Sequence, residues 1–238
     1  QAQKNWLVQL RRWREVLGTA DARTAHDDIS AVRDPHAIGA LAVLLKEERH
    51  RNVKMLYIDV LAEIGGPQAI ETLLNTSLQD GDEEIFHASL DKIVRINPPH
   101  VAAKYAEALK DENNIRINRA AYALGRLQDK SVLSPLIDAL ITTHYTVIPK
   151  GADNYTTGFA SPVLSGPQAG SPSSPLGGTS FSAGGETKVI PHTVNNQQVL
   201  DALIRLGGAN FGFDQRAWRY WLANENRKAA PQLNWRKE

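Results

Sequence analysis

Two histidines hold matching positions on either side of a long segment without helical periodicity, and they are the first candidates for chemistry. His144 precedes the β-branched run 145–150, and His192 ends a similar run, 187–192. β-Branched residues with alternating spacing predict strands, and antiparallel pairing of the runs would place His144 opposite His192. Such a pair could bind a metal ion or act as a general base. Because no carboxylate cluster lies nearby to complete a ligand shell, we predict no metal site there.

The segment between these runs, residues 151–186, is rich in Gly, Ser and Pro and cannot build a packed core of its own. It carries spaced apolar side chains in a nearly uncharged sequence, a composition that suits docking onto another protein. These candidate binding residues are Tyr155, Phe159, Val163, Leu164, Leu176 and Phe181. A disordered tip without a partner is the alternative. We predict a β-hairpin arm over residues 142–194, with a two-stranded stem and a Gly/Ser/Pro-rich tip.

The residue patterns of common catalytic sites are absent from the sequence. The chain has no cysteine and no Gly-x-Ser-x-Gly motif to hold a serine nucleophile. The pairs Gly177-Gly178 and Gly184-Gly185 are not followed by the Lys-Ser/Thr of a phosphate-binding loop. The acidic run 80–84 lacks the ligand spacing of a calcium loop, and a helix start explains it. We therefore expect a non-enzymatic protein that needs no cofactor.

An internal repeat dominates residues 34–141 and must position the remaining candidates. Pro35, Pro67 and Pro99 recur at intervals of 32, each near a helix start, where a missing amide hydrogen costs nothing. Each unit contains two apolar-periodic segments separated by a polar turn, which predicts a helical hairpin. The predicted first helices are 38–45, 70–78, 101–109 and 132–141. The predicted second helices are 53–64, 85–96, 115–127 and, after the insertion, 199–206.

One second helix carries a distinctive motif. Residues 119–127 have the sequence Arg-Ala-Ala-Tyr-Ala-Leu-Gly-Arg-Leu, and residues 60–65 are a looser copy. The motif resembles the HEAT family, in particular the bilin-lyase-like HEAT repeats, whose second helix has an Ala-Ala-x-Ala-Leu-Gly core. The resemblance covers residues 34–141 and 195–208. It implies an all-α fold, a HEAT-like α-solenoid of helical hairpins with the β-hairpin insertion in its last repeat.

Glycine pairs and terminal helices complete the predicted array. Gly65-Gly66 and Gly207-Gly208 are placed to end two second helices in left-handed caps. A repeat array also needs ends with one polar face. We predict an N-terminal capping helix pair over residues 1–33, because four large apolar residues share one helical stripe. These residues are Trp6, Leu10, Trp13 and Leu17.

The other end of the array contains the run Asn-Phe-Gly-Phe-Asp-Gln-Arg-Ala-Trp-Arg-Tyr-Trp at residues 210–221. It resembles a C-terminal motif of uncharacterised, often exported bacterial HEAT proteins, with which no activity is associated. A Trp-x-x-Trp face is more often packed than free to bind a ligand. We therefore interpret Trp218 and Trp221 as part of a C-terminal capping helix and tail over residues 209–238.

The HEAT resemblance leaves three functions open: a protein-binding scaffold, a bilin-lyase-like chromophore-binding enzyme and a DNA-binding HEAT protein. The formal net charge of +1 gives no overall attraction for nucleic acid. We predict the scaffold, with a protein partner bound by the concave face or the arm. Arg116 and Arg119, on a second helix, are the candidate binding residues of that face.

The sequence says less about the location of the protein. The longest apolar run, residues 38–45, cannot cross a bilayer. A chain that begins at Gln1 fits a mature N-terminus left by signal-peptide cleavage, and a cytoplasmic location is the alternative. Nothing in the sequence predicts the oligomeric state.

Overall fold

A computed structural model describes residues 2–148 and 188–229 of the chain, and these residues are mostly α-helical. A front pair, α1 (Ala2–Val16) and α2 (Ala22–Ser30), precedes the repeats. The first helices of the repeats are α3 (Ile38–Glu47), α5 (Gly66–Gln79), α7 (Val101–Ala108) and α9 (Leu133–Ala139). The second helices are α4 (Arg51–Ile64), α6 (Glu83–Ile96), α8 (Asn114–Leu127) and α10 (Gln197–Gly207). Short 3-10 helices, Pro35–Ala37 and Lys130–Val132, lead into α3 and α9, and α11 (Gln215–Ala229) follows α10.

The helices stack as successive hairpins, which confirms the predicted all-α solenoid. In the second-helix layer, α2, α4, α6, α8 and α10 each contact the next. In the first-helix layer, α1 contacts α3 and α3 contacts α5, but α5 also packs against α8. The apolar positions of every hairpin meet in one continuous core.

Small residues allow α8 and α10 to approach closely. Ala120, Ala121 and Ala123 of the Ala-Ala-x-Ala-Leu-Gly motif are fully buried. A Cβ atom on Gly125 would lie 3.4 Å from both Cα and Cβ of Ala202. The motif therefore allows the two helices to pack closely, since a larger residue at position 125 would push them apart.

The β-hairpin insertion is also confirmed. Strands β1 (Ile141–Ile148) and β2 (Lys188–Asn195) form a two-stranded sheet, and the helical unit stops at Ile141 and resumes at Asn195. The predicted first helix of this repeat, 132–141, is too long, because α9 ends at Ala139. Its β-branched successors, beginning with Ile141 and Thr142, join the strand instead.

The front end of the array is fixed by a buried leucine, a tryptophan hydrogen bond and an ion pair. Leu10 is fully buried, and the Trp6 Nε1 atom donates to the Asp34 carboxylate at 2.7 Å. The Arg14 guanidinium of α1 donates to both carboxylate oxygens of Glu48, which follows α3. Because the Glu48 side chain is only 7% exposed, this bidentate ion pair ties the front pair to the first repeat.

At the other end, α11 packs its tryptophans against the last repeat. Trp218 is fully buried, and its Nε1 atom donates to the Gly212 carbonyl at 2.9 Å. A Cβ atom on Gly207 would lie 2.8 Å from the Trp221 ring, so only glycine leaves room there. The Asp214 carboxylate accepts from two backbone amides in the first turn and caps α11.

The two glycine caps differ from each other. Gly208 ends α10 in the left-handed region with φ 72° and ψ 10°, as predicted. Gly65 ends α4 with φ 67° and ψ −161°, so the prediction of a left-handed cap is wrong there. Because α5 begins at Gly66, the chain must turn within one residue, and that backbone conformation is almost exclusive to glycine.

None of the helices within residues 2–148 and 188–229 is long and apolar enough to cross a membrane.

Candidate binding groove on the second helices

A groove of about 840 Å³ opens between the N-terminal halves of α6 and α8. Its floor and one wall come from the end of α5 (residues 78 and 79), from Asp80 and Gly81 of the α5–α6 turn, and from Glu83, Phe86 and His87 of α6. The opposite wall is α8, from its N-cap Asn113 to Tyr122, and Gln198 at the start of α10 closes one side. We call this site the α6–α8 groove.

Three rings in mutual contact form the inner wall of the groove, which we call the aromatic wall. Phe86 is buried, and its ring centroid lies 4.7 Å from His87 and 5.7 Å from Tyr122. The His87 and Tyr122 rings meet edge to face at 5.4 Å. His87 is partly exposed, and its Nε2 atom lies 3.9 Å from the Glu83 carboxylate. These contacts fix the ring positions before any ligand arrives.

Arg119 of α8 lies over the aromatic wall. Its guanidinium carbon is 5.1 Å from the Phe86 ring centroid, a cation–π geometry, and its Nη1 atom donates to the backbone carbonyl of Asp80. No carboxylate of the described residues forms an ion pair with Arg119, since the nearby acids Asp80 and Asp111 pair with other cations. The cation is therefore held by a ring and a carbonyl group, neither of which neutralises its charge.

The α5–α6 turn beneath Arg119 is anchored by the preceding repeat. The Lys54 ammonium of α4 lies 2.5 Å from Asp80 Oδ2, and both side chains are largely buried. The Asp80 Oδ1 atom accepts from the Asp82 amide, and Asp82 in turn caps α6 by accepting from the Glu84 amide. Arg51 donates to Asp82, and this hydrogen bond lowers the pKa of the Asp82 carboxyl. The turn is consequently a rigid platform for the groove.

Arg116 lies beside Arg119 but is used differently. Its Nη1 atom is 2.7 Å from Asp111 Oδ2, so its charge is paired within the same repeat. Its Nε atom is shielded from solvent and has no hydrogen-bond partner among the described residues. Asp111 also accepts from the Asn113 amide, and Asn113 caps α8 by accepting from the Ile115 amide.

Side-chain amides connect the groove to the last repeat. Asn118 donates to the Oδ1 atom of Asn196 at 3.2 Å and accepts from the Gln198 amide at 3.3 Å. Asn196 is fully buried and donates to the Ala139 carbonyl at 2.9 Å. These bonds join α8, α9 and α10, although the long insertion separates α9 from α10 in the sequence.

The cations farther along the second helices are paired with acids of the preceding repeat, an arrangement that we call the ion ladder. It consists of the pairs Lys92–Asp59 at 2.5 Å, Arg95–Glu63 at 3.9 Å and Arg126–Asp91 at 3.0 Å. Hydrogen bonds that Arg126 makes with Tyr122 and donates to Asp91 raise the pKa of Arg126. Because each basic side chain faces a carboxylate, these pairs offer no run of free cations for a phosphate backbone.

The predicted site residues have different outcomes. Arg116 and Arg119 lie together in the α6–α8 groove. His144 lies on β1, where its Nε2 atom is hydrogen bonded to Thr142 Oγ1 at 3.0 Å, and His192 lies exposed on β2. No group of three or more His, Cys, Asp or Glu side chains is placed to hold a metal ion within residues 2–148 and 188–229. The six apolar candidates of the tip, from Tyr155 to Phe181, lie outside the described residues.

Sequence reasoning missed the aromatic wall and the role of Asp80. One signal could have revealed the turn: Glu48, Asp80 and Asp111 recur one repeat apart, each two residues before a second-helix N-cap. In each case the carboxylate accepts from the backbone amide of that N-cap residue. Phe86, His87 and Tyr122 gave no such signal, because their spacing along two different helices is that of ordinary core residues.

Comparison with known families supports the repeat assignment. Residues 118–142 match the PBS lyase HEAT-like repeat family, a stretch that begins within α8 and extends through α9. The match supports a HEAT-repeat protein. No curated protein matches the chain. The resemblance of residues 210–221 to exported bacterial proteins stays a prediction.

Proposed function

We propose that this chain is a non-enzymatic protein-binding module and that the α6–α8 groove is its main binding surface. The observation that carries the proposal is the aromatic wall, with Arg119 above it, in a groove of about 840 Å³. Aromatic and arginine side chains are the types that dominate protein interfaces. A helical repeat scaffold holds them rigidly, so binding a partner would order few side chains.

The character of the groove favours a peptide segment over the other two ligand classes. The ion ladder pairs Lys92, Arg95 and Arg126 with carboxylates, which disfavours a nucleic-acid backbone. A chromophore is expected to need an enclosed, mainly apolar pocket. The α6–α8 groove is open and has a mixed polar and apolar lining, which suits the backbone and side chains of an extended segment.

The hairpin arm is proposed as a second binding surface. Tyr145, Val189 and Ile190 are exposed on the two strands. Exposed apolar side chains on a short sheet are typical of surfaces that a partner covers. The apolar residues of the tip would extend this surface.

The test is affinity capture from the native source with four forms of the full chain. The first is the wild type, and the second is Ile115→Glu, which places a charge on an exposed position at the rim of the groove. The third, Val8→Glu, is the matched control, because Val8 and Ile115 are both 63% exposed. In the fourth, residues 151–186 are replaced by a short Gly-Ser turn.

We expect a partner that the wild type and Val8→Glu capture and that Ile115→Glu loses. A partner that survives Ile115→Glu but disappears with the shortened arm would assign binding to the arm instead. If neither change removes any captured protein, the proposal is wrong.

A further inference from the structure

The cations of α4, α6 and α8 fall into two groups, and Arg119 is alone in the second. Six of them face a carboxylate within the described part of the chain. They are Arg51, Lys54, Lys92, Arg95, Arg116 and Arg126. Arg119 faces no carboxylate there, although it lies in the α6–α8 groove of the same helix layer. Arg23 of α2 and Arg205 of α10 also have no carboxylate partner among the described residues, but they do not line the groove. Arg119 is thus the unpaired arginine of this layer that lies at the groove.

The nearest acids are already engaged by other groups. The Asp80 carboxylate is bound by Lys54, and only its backbone carbonyl contacts Arg119. The Asp111 carboxylate is bound by Arg116, and the Glu83 carboxylate lies beside His87. A change of rotamer at Asp80 or Asp111 would break an existing ion pair, so neither of these two acids is available to neutralise Arg119.

Arg119 is also held in place for an incoming anion. Its guanidinium is fixed by the Phe86 ring on one face and by the Asp80 carbonyl at Nη1. Its other N–H donors have no partner among the described residues and are not buried. A guanidinium presents its donors in a planar fork that matches a carboxylate, and an immobilised fork loses little entropy on binding.

We propose that Arg119 binds the carboxylate of an Asp or Glu side chain in an extended segment of a partner protein. The inference rests on the proposed function and names the chemistry that the groove recognises. The exposed side chain of Ile115 and the ring of Tyr122 provide apolar surface for neighbours of that acidic residue. A polyanion is disfavoured because the acids of the ion ladder lie along the same helices, whereas one carboxylate complements one free cation.

The test is a selection from a random peptide library displayed on phage, with the full chain as bait. We expect the selected peptides to share an Asp or Glu at one position. The synthetic form of the best peptide should bind Arg119→Gln about ten-fold or more weakly than wild type by fluorescence anisotropy. Arg126→Gln is the matched control, since it makes the same charge change on the same helix, and it should alter binding less than about two-fold.

A second measurement keeps the test independent of the stability of Arg119→Gln. Replacing the acidic residue of the peptide by its amide should weaken binding to the wild type by a similar factor. The same replacement should have no further effect on binding to Arg119→Gln. If the two changes are additive instead, Arg119 does not bind that carboxylate.

The selection also separates this inference from the proposed function. Peptides that bind the wild type and fail to bind Ile115→Glu, but that share no acidic residue, would uphold the groove and overturn the role of Arg119. If no selected peptide depends on Ile115, both proposals fail. A selection of basic peptides would assign recognition to Glu83 rather than to Arg119 and would overturn the inference.

Discussion

Two neighbouring junctions of the second-helix layer serve opposite purposes. Where α8 meets α10, the backbones come into contact, and a Cβ atom on Gly125 would lie only 3.4 Å from Ala202. Where α6 meets α8, Phe86, His87 and Tyr122 hold the helices apart and leave the α6–α8 groove. The same helix, α8, takes part in both. The size of the side chains at each junction decides whether it stabilises the array or offers a surface to a partner.

The largest effect is expected from adding a side chain where α8 and α10 are in close contact. Gly125→Leu should destabilise the protein by about 3 kcal/mol, because a leucine there must displace the backbone of α10 at Ala202. Unfolding in urea, followed by circular dichroism, would measure the change.

The control for this substitution lies beside the α6–α8 groove. No atom of the described residues lies within 4 Å of the position that a Cβ atom would take on Gly81, in the turn at the rim of the groove. Gly81→Leu should therefore change stability by less than about 0.5 kcal/mol. Equal losses from the two variants would show that the junctions do not differ in packing.

The second effect concerns Glu48. Like Asp80, it lies two residues before a second-helix N-cap and accepts a hydrogen bond from that N-cap amide, but it pairs with Arg14 of the front helices. Burial alone would raise the pKa of Glu48, but the hydrogen bonds from Arg14 and from the amides of His50 and Arg49 outweigh it and lower the pKa to about 2. The native state thus favours the carboxylate. Its stabilisation is fully present above the ordinary pKa of 4.5 and is lost as the pH falls towards 2.

Glu48→Gln should cost about 2 kcal/mol at neutral pH, because Arg14 loses a charged, bidentate partner in a largely buried site. It should also flatten the dependence of stability on pH between 4.5 and 2. Thermal melting of both proteins at several pH values would measure this. An unchanged pH profile would show that Glu48 does not tie α1 to the first repeat.

The fold was predictable because its signals are local and repeated. The proline interval, the Ala-Ala-x-Ala-Leu-Gly motif and the β-branched runs each specify backbone geometry within one unit. The predictions that failed concern boundaries, where tertiary contacts decide. The end of α9 lies at Ala139, and Gly65 serves two helices at once, neither of which follows from local propensity.

The groove was predictable only in part. Arg116 and Arg119 are predicted from their place on a second helix, and both line the groove, but their role in binding stays a prediction. They differ in that the Asp111 carboxylate, in the turn before α8, pairs with Arg116, whereas no carboxylate of the described residues pairs with Arg119. Phe86 and Tyr122 are 36 residues apart in the chain, and only the stacking of α6 on α8 brings their rings together.

A smaller effect is expected from the first helices of the same two repeats, where Ser77 of α5 contacts Tyr105 of α7. The Ser77 hydroxyl donates to the Leu74 carbonyl, so the Tyr105 hydroxyl must donate to Ser77, at 2.7 Å. Burial raises the pKa of Tyr105, and the bond to Ser77 only partly offsets this. Tyr105→Phe should cost about 1 kcal/mol in urea unfolding, the contribution of one buried hydrogen bond.

The control for this bond is Ser77→Ala, alone and combined with Tyr105→Phe. If the hydrogen bond joins the two repeats, the double variant should lose less than the sum of the single losses. Strict additivity would mean that the two hydroxyls do not depend on each other.

The smallest effect on stability is expected from the ion ladder. Asp59→Asn and Asp91→Asn remove the partners of Lys92 and Arg126, and the carboxylates of both acids are more than half exposed. Such surface pairs contribute about 0.5 kcal/mol or less, so the double variant should melt close to the wild type.

The same double variant should bind anions differently, because Lys92 and Arg126 on the second helices lose their carboxylate partners. We expect it to gain salt-sensitive binding to a single-stranded oligonucleotide that the wild type binds weakly. If the variant binds the oligonucleotide no better than the wild type, the ion pairs of the ladder do not prevent nucleic-acid binding. Pairing with an acid would then not distinguish these cations from Arg119 as binding residues.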